Sequence, residues 1–279
     1  QSLYKLDKKY FENFGCVVGD EAHLFKSKSL TAIMTKLINC KYRFGMTGTL
    51  DGTQTHRLVL EGLFGKVEKV TSTKQLMDKD TLANLKIKCL VLKHKEEDCK
   101  VVKDLKYSDE LQYIVTHKTR NDFISRLCDK LSGNTLCLYQ LVEKHGLVLY
   151  NLMKDFDRKV FFIHGGTDTN DREKIRAITE EQTNAIIVAS YGTFSTGINI
   201  RNLHNIVFAS PSKSRIRVLQ SIGRGLRKSD KGDIQTTLLD IADDFTYKDN
   251  KNFTLNHFLE RINIYNEEEF DYEIDRIRI

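Results

Sequence analysis

Several features are absent from this sequence, and each absence argues against a class of protein. No run of about 18 apolar residues occurs, so the sequence predicts no membrane-spanning helix and no membrane partner. The opening residues lack the apolar core of a signal peptide. The six cysteines form no C-x-x-C pair, which favours buried free thiols over zinc sites or disulfides. We therefore expect a cytoplasmic protein.

Two glycine motifs for nucleotide phosphates are also missing. The dinucleotide fingerprint G-x-G-x-x-G does not occur, which argues against a Rossmann-type dinucleotide enzyme. The phosphate loop G-x-x-x-x-G-K-[ST] is absent as well, and the nearest string, residues 62–67, has the wrong spacing and the wrong final residue. These residues alone therefore contain no loop of backbone amides and lysine that would hold a triphosphate.

The composition is that of a globular chain large enough for two domains. Of the 279 residues, 40% are hydrophobic and 29% are charged, with a single proline and no repeats. A chain of this size lies near the length at which single cores divide. The net charge of +6 gives weak support for a polyanionic partner such as nucleic acid.

Apolar strands alternate with helical patterns along most of the chain, which predicts an α/β fold with parallel sheets. Strands are expected at 16–19, 42–46, 66–70, 87–92, 135–139, 159–163, 185–189, 205–209, 236–241 and 272–279. Helices are expected at 4–13, 27–38, 54–63, 108–131, 141–156, 170–180, 212–226 and 255–265. The polar stretch 71–86 indicates a junction, so we expect domains at 1–84 and 85–279.

The strand 16–19 leads directly into Asp-Glu-Ala-His, residues 20–23. Ligands collect at the carboxyl ends of parallel strands, so two adjacent acids there lie where a nucleotide phosphate would bind. Asp20 could hold Mg²⁺, and Glu21 could orient or deprotonate a water molecule. The same string also occurs by chance in acidic turns. The motifs that follow it in the sequence distinguish a nucleotide site from a chance occurrence.

Further strand ends carry polar groups. Thr47-Gly48-Thr49 follows the second strand, and residues 190–199 form a segment rich in hydroxyl groups and glycine, which we expect to be a loop that could bind a sugar–phosphate backbone. Gln140, His164 and Gly165 end strands that could touch nucleic acid. Each of these segments alone is also compatible with an ordinary turn.

The basic segment near residue 220 reads Gln-x-x-Gly-Arg-x-x-Arg, from Gln220 to Arg227. Arg224 and Arg227 are three positions apart, so on a helix they share a face, and two guanidinium groups at that spacing can grip phosphate oxygens. Arg215 and Arg217 make the same helix basic, which favours salt-dependent contact with a nucleic-acid backbone. A solvated basic helix is the alternative.

In this order, Asp-Glu-Ala-His, Thr-Gly-Thr, Ser-Thr-Gly-Ile-Asn and Gln-x-x-Gly-Arg-x-x-Arg resemble motifs II, III, V and VI of superfamily 2 helicases of the DEAH type. The resemblance spans about residues 14–245. It implies two RecA-like parallel-sheet domains, the first truncated on its N-terminal side. It also implies a monomeric helicase that depends on ATP and Mg²⁺. Its substrates would be branched, forked or junction DNA and RNA–DNA hybrids in phage recombination and replication, within the host cytoplasm.

The family implies a role for each matching position. Asp20 would coordinate Mg²⁺, Glu21 would be the general base, and His23 with Thr47 and Thr49 would couple hydrolysis to nucleic acid. In the second domain, the resemblance assigns nucleotide contacts and γ-phosphate contacts to one set of residues and nucleic-acid contacts to another. The first set is Gly197, Asn199, Gln220, Arg224 and Arg227, and the second includes Ser195 and Thr196. Asn199 stands where many relatives carry an acid.

The motifs that precede Asp-Glu-Ala-His in the family do not occur in these residues, and only fifteen residues lie upstream of the first strand. We therefore expect this chain to be the C-terminal portion of a longer helicase and to be inactive in ATP hydrolysis alone. The alternative is a non-catalytic nucleic-acid-binding module that keeps the RecA-like fold.

Overall fold

The computed structural model describes residues 2–50, 52–197, 200–226 and 235–279. Two compact units divide the chain: residues 1–70 with 214–216, and residues 71–213 with 217–279. Residues 71–84, which we assigned to the first domain, therefore group with the second unit. The physical reason is packing, because Met77 and Leu82 lie against the core of the second unit.

The first unit contains a two-stranded parallel sheet of β1 (Cys16–Gly19) and β2 (Tyr42–Gly45). Its helices are α1 (Lys28–Lys36) and α2 (Gln54–Phe64), with short 3₁₀ turns at Leu3–Lys5, Lys8–Phe11 and Ala22–Lys26. A small core forms where Met34 and Leu37 of the α1 region pack with Phe11 and Cys40. The expected helix at 4–13 is thus two separate turns.

The expected strand at 66–70 is wrong, because this segment has no regular structure. Its valines favour an extended backbone, but Val70 is 94% exposed and no strand among the described residues pairs with the segment. A β-branched residue stabilises a strand mainly through packing on a sheet surface, which this segment lacks.

The second unit is built on a seven-stranded sheet in which every described pairing is parallel, in the order β5-β6-β4-β7-β8-β3-β9. The strands are β3 (Leu85–Lys93), β4 (Thr135–Tyr139), β5 (Val160–Ile163), β6 (Ile186–Ser190), β7 (Asn205–Phe208), β8 (Thr236–Asp244) and β9 (Tyr272–Arg278). All residues of β4 and β7 are buried, as expected for central strands covered on both faces.

Helices cover this sheet, and separate cores lie on its two faces. They are α3 (Thr73–Asp78), α4 (Glu96–Val102), α5 (Tyr107–Thr116), α6 (Lys118–Lys130), α7 (Leu147–Met153, preceded by a π-turn at Val142–Gly146), α8 (Thr169–Glu181), α9 (Tyr191–Gly197), α10 (Arg215–Gly225) and α11 (Phe253–Glu267). The α/β class with parallel sheets is confirmed.

Two expectations about helices need correction. The single helix expected at 108–131 is two helices, because His117 has an extended backbone and its Nδ1 accepts a hydrogen bond from the Arg120 amide, which caps α6. The segment 190–199, expected to be a loop, contains α9. The Ser190 hydroxyl accepts a hydrogen bond from the Thr193 amide at the start of this helix, and Phe194 is fully buried.

Candidate functional site

The acidic segment of the first unit turns sharply at the carboxyl end of β1. Glu21 has a left-handed backbone with φ of 47°, which is uncommon for a residue with a side chain. Its amide donates a hydrogen bond of 2.8 Å to Oδ1 of Asp20. The Asp20 side chain is exposed, and the Glu21 side chain is 47% exposed. Both carboxylates therefore reach solvent at the end of a strand, and their oxygen atoms are the ligands that Mg²⁺ prefers.

The histidine of the same segment connects the ends of the two strands. The Thr47 hydroxyl donates to the Thr49 carbonyl at 2.9 Å, so its oxygen is left to accept a hydrogen bond from Nδ1 of His23, also at 2.9 Å. The same Nδ1 lies 3.2 Å from Oε2 of Glu21. A backbone bond from Ala22 to Met46, at 2.8 Å, joins the two strand ends again.

This network brings together four residues that the sequence predicted for the first domain: Glu21, His23, Thr47 and Thr49. The His23 ring is buried, which holds it in one orientation between the carboxylate and the hydroxyl group. The Thr49 hydroxyl is also buried and has no hydrogen-bond partner among the residues described. Contacts between these polar groups thus connect the acidic turn to the Thr-Gly-Thr segment.

Predicted residues of the second unit lie at the carboxyl edge of the large sheet. Gln140 follows β4 and His164 follows β5; the two strands flank β6, which leads into α9. The Gln140 amide donates to the Ser210 hydroxyl at 3.0 Å, while its side chain is exposed. The ring of His164 accepts a hydrogen bond from the Gly166 amide at 3.1 Å, and Arg172 donates to the Gly165 carbonyl at 2.9 Å.

Two residues that support this edge were not predicted, Ser210 and His145. The Ser210 hydroxyl lies 2.8 Å from Nδ1 of His145, and its carbonyl accepts a hydrogen bond from Tyr191 at 3.1 Å. Burial, together with the nearby positive charge of Arg120, lowers the pKa of His145 well below its usual value. The one signal in the sequence was that Ser210 directly follows the strand expected at 205–209, as Gln140 directly follows β4.

The basic residues occupy α10. Gln220 and Arg224 are one helical turn apart and half-buried, and Arg215 begins the helix. The Arg217 guanidinium lies 5.4 Å from the centre of the Tyr191 ring, within the range of a cation–π contact. Asn199 and Arg227 lie outside the described residues. The backbone of Ser195, Thr196 and Gly197 forms the end of α9.

The comparisons with known proteins agree with the resemblance to helicases. The helicase conserved C-terminal domain family matches residues 119–229. The ATP-dependent DNA helicase UvsW of Enterobacteria phage T4 is 34% identical over 292 aligned residues, which cover 100% of this chain and 58% of that protein. The crystal structure of T4 UvsW matches with a TM-score of 0.62 at 33% identity, covering 100% of this chain and 57% of the other. Over its whole length this chain is therefore similar to a superfamily 2 helicase.

The resemblance inferred from the motifs, including that to the phage helicase UvsW, is thereby confirmed. A putative ATP-dependent RNA helicase of Acanthamoeba polyphaga mimivirus is 24% identical over 270 residues, covering 92% of this chain and 50% of that protein. A fragment of a putative type I restriction HsdR subunit from Vibrio vulnificus YJ016 shares the fold, with a TM-score of 0.70 at 18% identity, covering 100% of this chain and 50% of that one.

The chain spans between half and three-fifths of the length of the two curated relatives named above. Its structural neighbours are RecA-like helicase domains, in agreement with the expected fold. Within the part of the chain that the structure describes, no helix combines the length and the apolar character that crossing a membrane requires.

Proposed function

We propose that this chain is the portion of an ATP-dependent nucleic-acid helicase or translocase that carries the acidic motif and the second RecA-like domain. Its substrates would be forked, junction or otherwise branched DNA, and RNA–DNA hybrids, in phage recombination, replication and repair within the host cytoplasm. The observation that carries this proposal is the hydrogen bond between His23 and Thr47, because it links the acids that serve hydrolysis to a segment assigned to nucleic acid.

The chemistry assigned to the first unit follows from its two carboxylates. Asp20 would bind Mg²⁺ through oxygen, and Glu21 would orient and deprotonate the attacking water. When bound, Mg²⁺ neutralises charge that develops on the transferred phosphate. The contact of His23 with Oε2 of Glu21 would make the orientation of this carboxylate sensitive to the state of Thr47 and Thr49.

The remaining roles rest on the family assignment and on the positions described above. Gln220, Arg224 and Arg227 would bind the γ-phosphate, and Gly197 and Asn199 would contact the nucleotide. Residues at strand ends and on α9 and α10 would hold the nucleic-acid backbone. These are Thr47, Thr49, Gln140, His164, Gly165, Ser195, Thr196, Arg215 and Arg217. We further propose that the protein acts as a monomer.

We also propose that the 279-residue chain alone hydrolyses ATP negligibly, since none of its segments matches the phosphate loop. The test measures ATP turnover with forked DNA for this chain and for a longer polypeptide in which a G-x-x-x-x-G-K-[ST] segment precedes it. The longer polypeptide should turn over ATP, and Arg227→Ala should slow it by about 10³-fold or more. Glu21→Gln should do the same, whereas the exposed Glu12→Gln should not.

Two outcomes would contradict this proposal in different ways. Clear turnover by the 279-residue chain would refute its inactivity. If the longer polypeptide bound forked DNA but was indifferent to both Glu21→Gln and Arg227→Ala, the alternative of a non-catalytic nucleic-acid-binding module would be correct.

A further inference from the structure

A group of potential metal ligands lies in the second unit, in a segment to which none of the helicase motifs belongs. His94 directly follows β3, Asp98 lies on α4, and His117 precedes α6. Each brings one possible ligand atom, and these three atoms lie within 4.8 Å of one another. Three separate elements of the fold therefore place two imidazoles and one carboxylate around a common point.

Part of this group already has the spacing of a metal site. Nε2 of His117 lies 3.5 Å from Oδ2 of Asp98. Ligands bound about 2.0–2.2 Å from a tetrahedral Zn²⁺ ion are about 3.4 Å apart, so these two atoms need almost no movement. The other oxygen of Asp98, Oδ1, accepts a hydrogen bond of 2.6 Å from the Tyr113 hydroxyl, which orients the carboxylate.

The buried ring of His94 gives independent support for a metal site. Nε2 of His94 lies 3.0 Å from Oδ1 of Asp243, a carboxylate that also accepts a hydrogen bond of 2.8 Å from Arg120. The proton of a neutral His94 therefore lies on Nε2, and the lone pair lies on Nδ1. That Nδ1 atom is buried and has no hydrogen-bond partner among the described residues. Because the His94 side chain is 0% exposed, solvent does not satisfy this atom either.

A buried nitrogen lone pair without a partner is unfavourable, and a metal ion would satisfy it. The hydrogen bond from the opposite nitrogen to a carboxylate is the arrangement that typically orients metal-binding histidines. The ring of His94 is also stacked on Phe245, with a centroid separation of 3.7 Å, so it has little freedom to turn away. Asp98 and His117, with side chains 26% and 14% exposed, give access from solvent.

We propose that His94, Asp98 and His117 form a binding site for a divalent transition metal of the Zn²⁺ type, with water completing the coordination. Two imidazoles and a carboxylate are a ligand set that suits Zn²⁺ or Co²⁺ better than Mg²⁺. The site joins the end of β3 to α4 and α6, and it shares no residue with the Mg²⁺ position assigned to Asp20.

Binding requires one rearrangement of protons. In the structure, Nδ1 of His117 accepts a hydrogen bond of 3.4 Å from the Arg120 amide, which places the ring proton on Nε2. Coordination through Nε2 moves that proton to Nδ1 and gives up this long capping bond. The metal then competes with protons for the ligand nitrogens, so its affinity falls as the pH decreases.

The experiment uses the 279-residue chain after treatment with a chelator. Co²⁺ is added and its visible absorption is recorded, and Zn²⁺ is titrated in competition with a chromophoric chelator. We expect one ion per chain, an intense absorption typical of four-coordinate Co²⁺, and a higher melting temperature with Zn²⁺. Asp98→Asn should weaken binding at least tenfold and abolish the increase in melting temperature.

The matched control is Glu97→Gln, which makes the same change of charge at the neighbouring, exposed position of α4. This variant should bind Co²⁺ as the unaltered chain does. Circular dichroism and the melting temperature without metal show whether Asp98→Asn remains folded. The proposal is overturned if the unaltered chain takes up no stoichiometric Co²⁺ or Zn²⁺, or if Asp98→Asn binds as tightly as Glu97→Gln. Neither result bears on ATP turnover by the longer polypeptide.

Discussion

His23 and Thr47 are 24 positions apart in the sequence, and a hydrogen bond of 2.9 Å joins the imidazole of the first to the hydroxyl of the second. Because the Thr47 hydroxyl donates its own proton to the Thr49 carbonyl, the histidine must be the donor. The tautomer of His23 is therefore determined by a threonine on the adjacent strand end, and the orientation of the ring beside Glu21 is determined with it.

Thr47→Val tests this relationship. Valine keeps the shape of threonine but removes the hydroxyl that accepts the hydrogen bond from the buried Nδ1 of His23. The free energy of unfolding should therefore fall by about 1–2 kcal/mol. Urea denaturation measures the change. Thr35→Val, at an exposed position of α1, should change stability by less than about 0.5 kcal/mol. In a double-mutant cycle, the effects of Thr47→Val and His23→Ala should not add; additive effects would mean that the bond contributes nothing.

The buried ion pair between Arg261 and Asp240 should be among the most sensitive points of the second unit. Two guanidinium nitrogens of Arg261 lie 2.8 Å from the Asp240 carboxylate, which also accepts a hydrogen bond of 2.8 Å from Tyr265. Asp240→Asn leaves a buried guanidinium without its counter-charge, so we expect a loss of about 3–5 kcal/mol in the free energy of unfolding. Asp249→Asn makes the same substitution at an exposed position and should be nearly neutral. Equal melting temperatures for the two variants would contradict this interpretation.

Stability should decrease when the pH is lowered from 7.5 to 5.5. Burial, followed by the charge of Arg120, lowers the pKa of His145, and burial lowers the pKa of His204 and His257 as well. Below about pH 6.5 the unfolded chain binds protons that the folded chain does not, so the free energy of unfolding falls with decreasing pH. The slope approaches about 1.4 kcal/mol per pH unit for each such histidine. Urea denaturation at several pH values should show this slope, and His145→Gln should reduce it; an unchanged slope would argue against a neutral, buried His145.

If α10 binds the sugar–phosphate backbone of nucleic acid, the affinity should fall steeply between about 50 and 200 mM salt and show little preference for base sequence. Arg217→Gln should weaken binding to single-stranded and forked DNA alike, and it should reduce the salt slope by about one. Fluorescence anisotropy with labelled DNA at several salt concentrations measures both. Lys251→Gln removes one positive charge at an exposed position outside α10 and serves as the control. Binding that ignores salt, or that both variants affect equally, would contradict the assignment.

Much of the sheet could be predicted because buried parallel strands are short, continuous apolar runs. β1 and β4 begin and end where the sequence indicated, and the acids of residues 20 and 21 lie at a strand end as expected. The helix α9 was missed because serine, threonine and glycine have low helix propensity, whereas burial of Tyr191 and Phe194 against the sheet overrides that preference. The break at His117 was missed because one side chain causes it by capping the next helix. His94, Asp98 and His117 meet through tertiary packing, which no local pattern reveals.

The position of β3 in the large sheet affects how the second unit folds during its synthesis. This strand lies between β8 and β9, so Leu85 pairs with Thr236 and Ile87 pairs with Tyr272. Both neighbours are synthesised some 150 residues or more after it, and a ribosome adds about 5–20 residues per second. During translation, β3 must therefore wait for several seconds with both edges unpaired, and its apolar residues lack their sheet neighbours for that time.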